Sequence, residues 1–439
     1  MNPRIILISL LCAFAYNNAA CAQTGKSKKK SAKVTTVKTK NVGKSHGKTD
    51  DFKTTTTSLK QSATKGDAMA QYDLGCSYFD AKPNDYQEAA YWWGKSASQG
   101  KRDAQYRLGN CYYNGLGVEK NYNKAFYWFR KAAEKGNTEA ANLLGDCYYN
   151  GQGIEKSYTL ALIWYQKAAT EKNVPAMTNV GKCFFFGNGE SKDYGKAVSW
   201  FQKAADKGDI LALYNLGLCY QNGYGVGIDL AKAADYYSKA AEKNDPLAQY
   251  HLGYAYDKGE GIEKSFQDAA YWYKRAADQG IAEAQFNLGY NYYVGRGVKQ
   301  NYETAAVWFV KASNLGYADA ECYLGLCYYF GRGLTLNYFH AVKWFKKSVE
   351  QNNTDAKYYI GLCFYNGQGL VKDYSQAVNY FKEAANQNNV NAQYRMGYCY
   401  EHGIGVSKDL HEAKFWYNKA AVQGHSEADA AMENINRQL

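Results

Sequence analysis

The sequence lacks a surplus of one charge sign outside its beginning, and it lacks long apolar runs. Residues 1–60 contain 12 lysines and arginines against two aspartates, whereas the remaining residues contain 41 basic and 39 acidic side chains. Nucleic-acid-binding domains concentrate basic residues on one face, so we expect no nucleic-acid partner. A bilayer-spanning helix needs about 20 successive apolar residues. No such run occurs, so we expect no transmembrane segment.

Titratable residues at catalytic or metal-ligand spacing are also lacking. The six histidines are scattered, and the zinc-protease-like start His411-Glu412 has Phe415 in place of its second histidine. Residues 42–45 end like a phosphate-binding loop, but Lys38 stands where the first glycine belongs. The sequence therefore predicts no metal, no cofactor and no enzymatic activity.

Aromatic residues, in contrast, are abundant. The chain has 43 tyrosines, 18 phenylalanines and 9 tryptophans. Such side chains bury large apolar areas, so disorder of the whole chain is excluded and a sizeable core is expected.

The N-terminal residues predict export. In residues 1–22, Arg4 precedes a short apolar stretch, and Ala20-Cys21-Ala22 offers small residues for signal cleavage before Gln23. Lipidation of Cys21 is an alternative. We expect an exported chain, periplasmic or extracellular. Residues 23–51 are rich in Lys, Ser, Thr and Gly and predict a disordered basic linker. It is either a solvated spacer or a weak contact to an anionic surface.

Residues 67–424 contain ten copies of one sequence unit. Each unit has an anchor glycine, and successive anchors lie 36 residues apart, except that the first spacing is 34 residues. An aromatic residue follows the anchor by 19 residues in every full-length unit. The anchors are Gly75, Gly109, Gly145, Gly181, Gly217, Gly253, Gly289, Gly325, Gly361 and Gly397.

The apolar spacing predicts two helices joined by a glycine turn in each unit. In residues 138–173, Leu144 and Cys147 recur at helical spacing, and Gly151 suits a left-handed helix end. Stacked hairpins bury apolar stripes that neither helix buries alone. We therefore predict an all-α fold: a right-handed α/α superhelical solenoid of about ten 36-residue helix-turn-helix repeats. Residues 52–66 predict a degenerate N-terminal cap helix, and residues 425–439 a C-terminal capping helix.

Seven of the nine cysteines beyond the signal region lie two residues after an anchor. Equivalent positions in adjacent hairpins lie on the order of 10 Å apart, whereas a disulfide needs Cα atoms within about 7 Å. We therefore predict unpaired cysteines in a small apolar slot, and no disulfide or metal ladder. The seven are Cys111, Cys147, Cys183, Cys219, Cys327, Cys363 and Cys399.

Residues 104–109 (AQYRLG), 115–118 (GLGV) and 124–133 (KAFYWFRKAA) resemble the Sel-one-like repeat, a relative of tetratricopeptide repeats. The resemblance covers about residues 52–439 and implies an α/α superhelix that assembles protein complexes or takes part in signalling. It also implies export, which is common among bacterial members. A secreted branch of the family carries two cysteines per unit. Most units here carry one, so the disulfides and penicillin binding of that branch are not expected.

Partner contacts are predicted on the first helix of each unit, two residues before and one residue after the anchor. These two positions share a helix face. Early units carry polar residues there, and later units carry Tyr and Arg, which are frequent at interface hot spots. The early residues are Asp73, Arg107, Asn110, Asp146, Asn179 and Lys182. The predicted partner-binding residues are His251, Tyr254, Asn287, Tyr290, Tyr323, Tyr359, Arg395 and Tyr398. The alternative is that these tyrosines pack between neighbouring repeats.

The sequence thus predicts an exported, non-enzymatic scaffold or adaptor that binds partner proteins or peptides on the concave face of the solenoid. A carbohydrate- or peptidoglycan-binding envelope module is the alternative, because exposed aromatic rings stack on sugars.

Overall fold

A computed structural model describes residues 58–81 and 83–438. The predicted signal peptide (1–22), the predicted basic linker (23–51) and the first six residues of the predicted cap helix (52–66) lie outside the described residues.

The described residues form helices joined by turns and contain no strand. Helix α1 spans 58–64, within the predicted N-terminal cap. Repeats 1–5 comprise α2 (Ala68–Asp80), α3 (Tyr86–Ser98), α4 (Arg102–Asn114), α5 (Tyr122–Glu134), α6 (Thr138–Asn150), α7 (Tyr158–Thr170), α8 (Val174–Phe186), α9 (Tyr194–Ala205), α10 (Ile210–Asn222) and α11 (Leu230–Glu242). Repeats 6–10 comprise α12 (Pro246–Lys258), α13 (Phe266–Asp278), α14 (Ala282–Val294), α15 (Tyr302–Asn314), α16 (Ala318–Phe330), α17 (Tyr338–Glu350), α18 (Thr354–Asn366), α19 (Tyr374–Asn386), α20 (Val390–His402) and α21 (Leu410–Val422), and α22 (Ala428–Gln438) follows.

Local sequence sets the ends of these helices. Asn137 caps α6, because its side chain accepts a hydrogen bond of 2.7 Å from the Ala140 amide. The same helix ends at Gly151, whose φ of 72° is left-handed. The amide of Gln152 then bonds back to the Cys147 carbonyl at 2.9 Å, which satisfies a terminal carbonyl. The predicted helix-turn-helix unit is therefore confirmed.

The anchor glycines allow the two helices of a hairpin to touch. A Cβ atom on Gly109 would lie 2.7 Å from the Phe129 ring, closer than any side chain tolerates. The ring that packs on the anchor in full-length repeats is therefore 20 residues away, one beyond the aromatic position that the sequence pattern emphasised. That earlier residue, Trp128 in repeat 2, is half-buried instead.

The turns between helices join each repeat to the one before it. The second glycine of a turn lies against the preceding repeat, so that a Cβ on Gly297 would collide with the Phe266 carbonyl. In several repeats, a polar residue between the two turn glycines bonds to the preceding first helix. In repeat 3, Gln152 accepts a hydrogen bond from the Tyr113 hydroxyl at 2.8 Å. Variation at this turn position therefore changes the contacts between repeats.

The chain divides into two compact units, with the boundary between Tyr236 and Tyr237. In unit 1, each helix from α2 to α9 packs against the next helix along the chain. In unit 2, each helix from α12 to α21 does the same. The first unit begins with α1, whose Ala63 is buried, and the second ends with α22, whose Ile435 is buried.

All seven periodic cysteines are buried and unpaired. Burial raises the pKa of the Cys147 thiol to about 12, and the same effect acts on the others. The small apolar slot predicted for cysteine is therefore what the structure contains.

Candidate functional site

The eight predicted partner-binding residues all lie in unit 2, on the first helices of repeats 6–10. Seven of them are partly exposed, and we call these seven the first-helix surface. It consists of Tyr254, Asn287, Tyr290, Tyr323, Tyr359, Arg395 and Tyr398.

His251 is different, because it is only 4% exposed. Its ring stacks on Tyr237, with centroids 5.0 Å apart and an angle of 17°. Burial lowers the pKa of His251 to about 4, so the imidazole is neutral at pH 7. An interior, neutral ring offers a partner no contact, and His251 is therefore not part of the first-helix surface.

The central tyrosines of the surface touch each other across repeats. The Tyr290 and Tyr323 rings meet edge to face, with centroids 5.6 Å apart. The Tyr359 ring stacks on Phe345 at 5.4 Å and 14°. Burial raises the pKa of Tyr323 and of Tyr359 above the usual tyrosine value, so both hydroxyls stay protonated. These rings thus hold repeats together while part of each remains exposed.

At each of the two ends of the surface, a tyrosine ring contacts a residue of its own helix. In repeat 6, Lys258 Nζ lies 5.6 Å from the centre of the half-exposed Tyr254 ring. In repeat 10, the Tyr398 ring stacks on His402, with centroids 4.3 Å apart. Arg395 lies one helical turn before Tyr398 on α20 and is also partly exposed. Both ends therefore present an aromatic ring beside a basic or titratable group.

Two arginines that the sequence pattern did not single out adjoin this surface. Arg296 and Arg332 occupy the same turn position in repeats 7 and 8. The Arg296 guanidinium lies 5.4 Å from the Tyr290 ring centre. Arg332 donates a hydrogen bond of 2.8 Å to the Tyr293 hydroxyl. The sequence feature that could have identified these arginines is the Gly-Arg-Gly turn, which occurs in only these two repeats.

The two arginines differ in their electrostatic partners. Arg296 forms a salt bridge of 2.9 Å with Asp257, a buried carboxylate of the preceding repeat. The residue that contacts Arg332 at the position equivalent to Asp257 is Tyr293, whose hydroxyl is neutral. Among the described residues, Arg332 has no carboxylate within salt-bridge distance. Its positive charge is therefore exposed and not neutralised by the described chain.

In the polar row of the early repeats, Asn179 and Lys182 of repeat 4 are buried, whereas the other four residues are partly exposed. Lys182 is 3% exposed, and its Nζ lies 3.4 Å from the Asn179 amide oxygen. Asp146 accepts a hydrogen bond of 2.7 Å from the Tyr165 hydroxyl. Burial raises the pKa of Asp146 to about 6, against the opposing effects of that bond and of Lys182. The polar groups of Asp146, Asn179 and Lys182 thus interact with other groups of unit 1.

Neither a metal site nor a membrane-spanning helix occurs within the part of the chain that the structure describes. No group of three or more His, Cys, Asp or Glu side chains there is arranged to hold a metal ion. None of the described helices combines the length and apolar character needed to cross a membrane.

The Sel1 repeat profile matches ten successive segments of the chain. The matched residues are 68–101, 102–137, 138–173, 174–209, 210–245, 246–281, 282–317, 318–353, 354–389 and 390–425. No curated protein sequence matches the chain significantly.

Solved structures with the same repeat resemble this one. A protective antigen of uropathogenic Escherichia coli with an SLR fold is 30% identical, with a TM-score of 0.66, and the match covers 88% of this chain and 91% of that one. A Sel1 repeat protein from Oxalobacter formigenes is 29% identical, with a TM-score of 0.51, over 70% of this chain and 90% of that one. With all ten repeats matched, the chain is an all-α repeat solenoid that belongs to the Sel1 repeat family.

Proposed function

We propose that the protein is an exported, non-enzymatic scaffold that binds partner proteins or peptides through the first-helix surface of repeats 6–10. The observation that carries this proposal is the surface itself: five half-exposed tyrosines and an arginine on the first helices of successive repeats. Tyrosine and arginine are enriched among the residues that dominate interface energetics, and tyrosine supplies a large contact area at low entropic cost. Repeat solenoids of this kind typically serve as interaction scaffolds.

The rigidity of the surface also supports binding. Tyr290, Tyr323 and Tyr359 are fixed by ring contacts to neighbouring helices. Side chains that are ordered before binding lose less conformational freedom when a partner arrives. The inter-repeat packing of these tyrosines is therefore compatible with partner binding, and an experiment can separate the two roles.

Affinity capture separates them. The full chain is immobilised and exposed to envelope and secreted fractions of the source cells, beside a variant with Tyr254, Tyr290 and Tyr398 changed to Ala. We expect the variant to lose proteins that the unmodified chain retains, while its melting temperature stays within a few degrees. Mass spectrometry identifies the retained proteins.

The matched control changes three tyrosines of the second helices, Tyr91, Tyr127 and Tyr271, which are 52%, 45% and 54% exposed. It removes the same chemical groups from another face and should retain the partners. A melting temperature that collapses in the first variant would favour a packing role. Retention of cell-wall glycan alone would favour carbohydrate binding.

Export is tested separately. We expect the chain purified from fractionated cells to begin at Gln23 and to be found outside the cytoplasm. A full-length chain beginning at Met1 in the cytoplasm would contradict this part of the proposal.

A further inference from the structure

Arg332 and Phe330 form an exposed pair next to the first-helix surface. Phe330 is 45% exposed although it is a large apolar residue at the end of α16. The Arg332 guanidinium carbon lies 5.1 Å from the centre of its ring. The Phe330 ring also meets Tyr359, with centroids 6.3 Å apart and an angle of 90°. An apolar surface and a cation are thus presented side by side.

The Arg332 side chain is held in place by its surroundings. It bonds to the Tyr293 hydroxyl and lies 5.5 Å from the ring centres of both Tyr293 and Tyr302. These contacts order the guanidinium without neutralising it. A planar guanidinium binds carboxylates with two parallel hydrogen bonds, so an ordered and unneutralised one is suited to that ligand.

Repeat 7 provides an internal comparison. There, Asp257 occupies the position equivalent to Tyr293 and pairs with Arg296 at 2.9 Å. The residue at the end of that first helix is Val294 instead of Phe330. One turn therefore holds an arginine with its carboxylate supplied by the chain, and the next holds an arginine without one.

We propose that Arg332, Phe330 and Tyr359 form an anchor site for an acidic segment of the partner protein, with a carboxylate on Arg332 and an apolar side chain against the two rings. This assignment rests on the proposed function and names the chemistry of its ligand. In an extended peptide, residues i and i+2 face the same side, about 7 Å apart. The Arg332 guanidinium carbon and the Phe330 ring centre are 5.1 Å apart, so the carboxylate and the apolar side chain of the ligand must be close neighbours on one face. Residues i and i+2 of an extended segment meet this requirement, and the ligand therefore carries Asp or Glu two residues from a large apolar residue.

The test begins with a random dodecapeptide library selected on the full chain. Synthetic peptides from the enriched set are then measured by fluorescence anisotropy, each beside a version with Asp→Asn or Glu→Gln. We expect enriched sequences to carry the acidic and apolar pair, and the amide versions to bind about tenfold more weakly.

Two variants remove the halves of the site with little effect on folding. Arg332→Gln has a precedent in repeats 3 and 9, where Gln152 and Gln368 accept hydrogen bonds from the preceding tyrosine. Phe330→Asn has precedents at the equivalent position, where four other repeats carry asparagine. These are Asn114, Asn150, Asn222 and Asn366.

We expect Arg332→Gln to weaken the acidic peptide about tenfold and to leave its amide version unchanged, because both changes remove the same interaction. Phe330→Asn should weaken both peptides equally. The control Arg275→Gln removes a partly exposed arginine that lies 5.3 Å from the Trp272 ring centre on a second helix. It should change neither affinity, and melting curves should be alike for all the variants.

The anchor assignment is overturned if no peptide is enriched, if the enriched peptides lack acidic residues, or if Arg332→Gln binds them as the unmodified chain does. Equal losses in Arg332→Gln and Arg275→Gln would also overturn it, because they indicate non-specific charge attraction. If Arg332→Gln still captures the proteins that the triple tyrosine variant loses, the proposed function stands and only the anchor fails.

Discussion

Asp245 is the N-cap residue of α12, and in this position its carboxylate is buried. It caps α12 by accepting a hydrogen bond of 2.7 Å from the Ala248 amide. Burial raises the pKa of this carboxyl to about 6, although the bonds from backbone amides oppose the shift. No cation among the described residues pairs with it. The residue is a good cap that carries an unfavourable charge.

Replacing Asp245 with asparagine should keep the cap and remove the charge. The folded-state pKa lies above the unfolded value of about 3.9. The folded chain therefore holds the proton more tightly, and the free energy of unfolding falls as pH rises from about 4 to about 6. We expect Asp245→Asn to stabilise the protein at pH 7 by about 1–2 kcal/mol and to flatten this pH dependence.

Urea unfolding between pH 4 and pH 7 measures both effects. Asn353 and Asn389 make the same cap in repeats 9 and 10, so the substitution has precedents. Asp373→Asn, at an exposed cap of α19, is the control and should change stability by less than about 0.5 kcal/mol. Destabilisation at pH 7 by Asp245→Asn would refute the burial argument.

At the scale of the helices, a glutamine four residues before the anchor connects successive elements. Gln249 donates to the Ala241 carbonyl at 3.2 Å, and its own carbonyl accepts from Gln279 at 2.8 Å. In repeat 7, Gln285 likewise donates a hydrogen bond to the Ala277 carbonyl at 3.1 Å. Its carbonyl oxygen has no partner among the described residues. The position that supplies the donor in other repeats holds Leu315, which is 57% exposed.

Leu315→Gln should complete this bond in repeat 7. A buried acceptor without a partner is costly, and supplying a donor contributes about 0.5–1.5 kcal/mol. We expect the melting temperature to rise accordingly, as measured by differential scanning calorimetry. Glutamate has nearly the same shape as glutamine but no N–H donor, so Leu315→Glu should not raise the melting temperature. Equal stabilisation by both substitutions would mean that removing an exposed leucine is the cause.

At the scale of the whole molecule, the cysteines report on the opening of individual repeats. Eight of the nine described cysteines are buried, and Cys76 is half-buried. In unit 2, Cys399 belongs to the last repeat, whereas Cys327 lies between neighbouring repeats on both sides. End repeats of a solenoid have one stabilising interface fewer than internal ones. Opening should therefore be easiest at the ends.

Thiol alkylation under native conditions tests this expectation. We expect Cys76 to be labelled first, and Cys399 to be labelled faster than Cys327 after correction for rates in the unfolded chain. Peptide mass spectrometry gives the rate at each site. Identical rates for Cys399 and Cys327 would indicate that unit 2 opens as a whole.

Much of the fold is encoded within each 36-residue unit. Cap residues such as Asn137 and turn glycines such as Gly151 act over a few residues, so they are readable from the sequence. The repetition of apolar positions shows that hairpins must stack. The burial of the cysteines follows from the same periodicity. The sequence by itself therefore determined the repeat number, the helix pattern and the unpaired cysteines.

The tertiary structure decided which residues at equivalent positions of the repeats are exposed. His251 and Tyr323 occupy equivalent positions, yet one is buried against Tyr237 and the other is partly exposed. Arg296 and Arg332 share a turn position but differ in charge balance, because residues 39 positions earlier supply Asp257 to one and Tyr293 to the other. Such differences arise from contacts between repeats. The periodic sequence pattern shows only what the repeats share, so it does not reveal them. Identical local patterns thus acquire different chemistry only when their neighbours are in place.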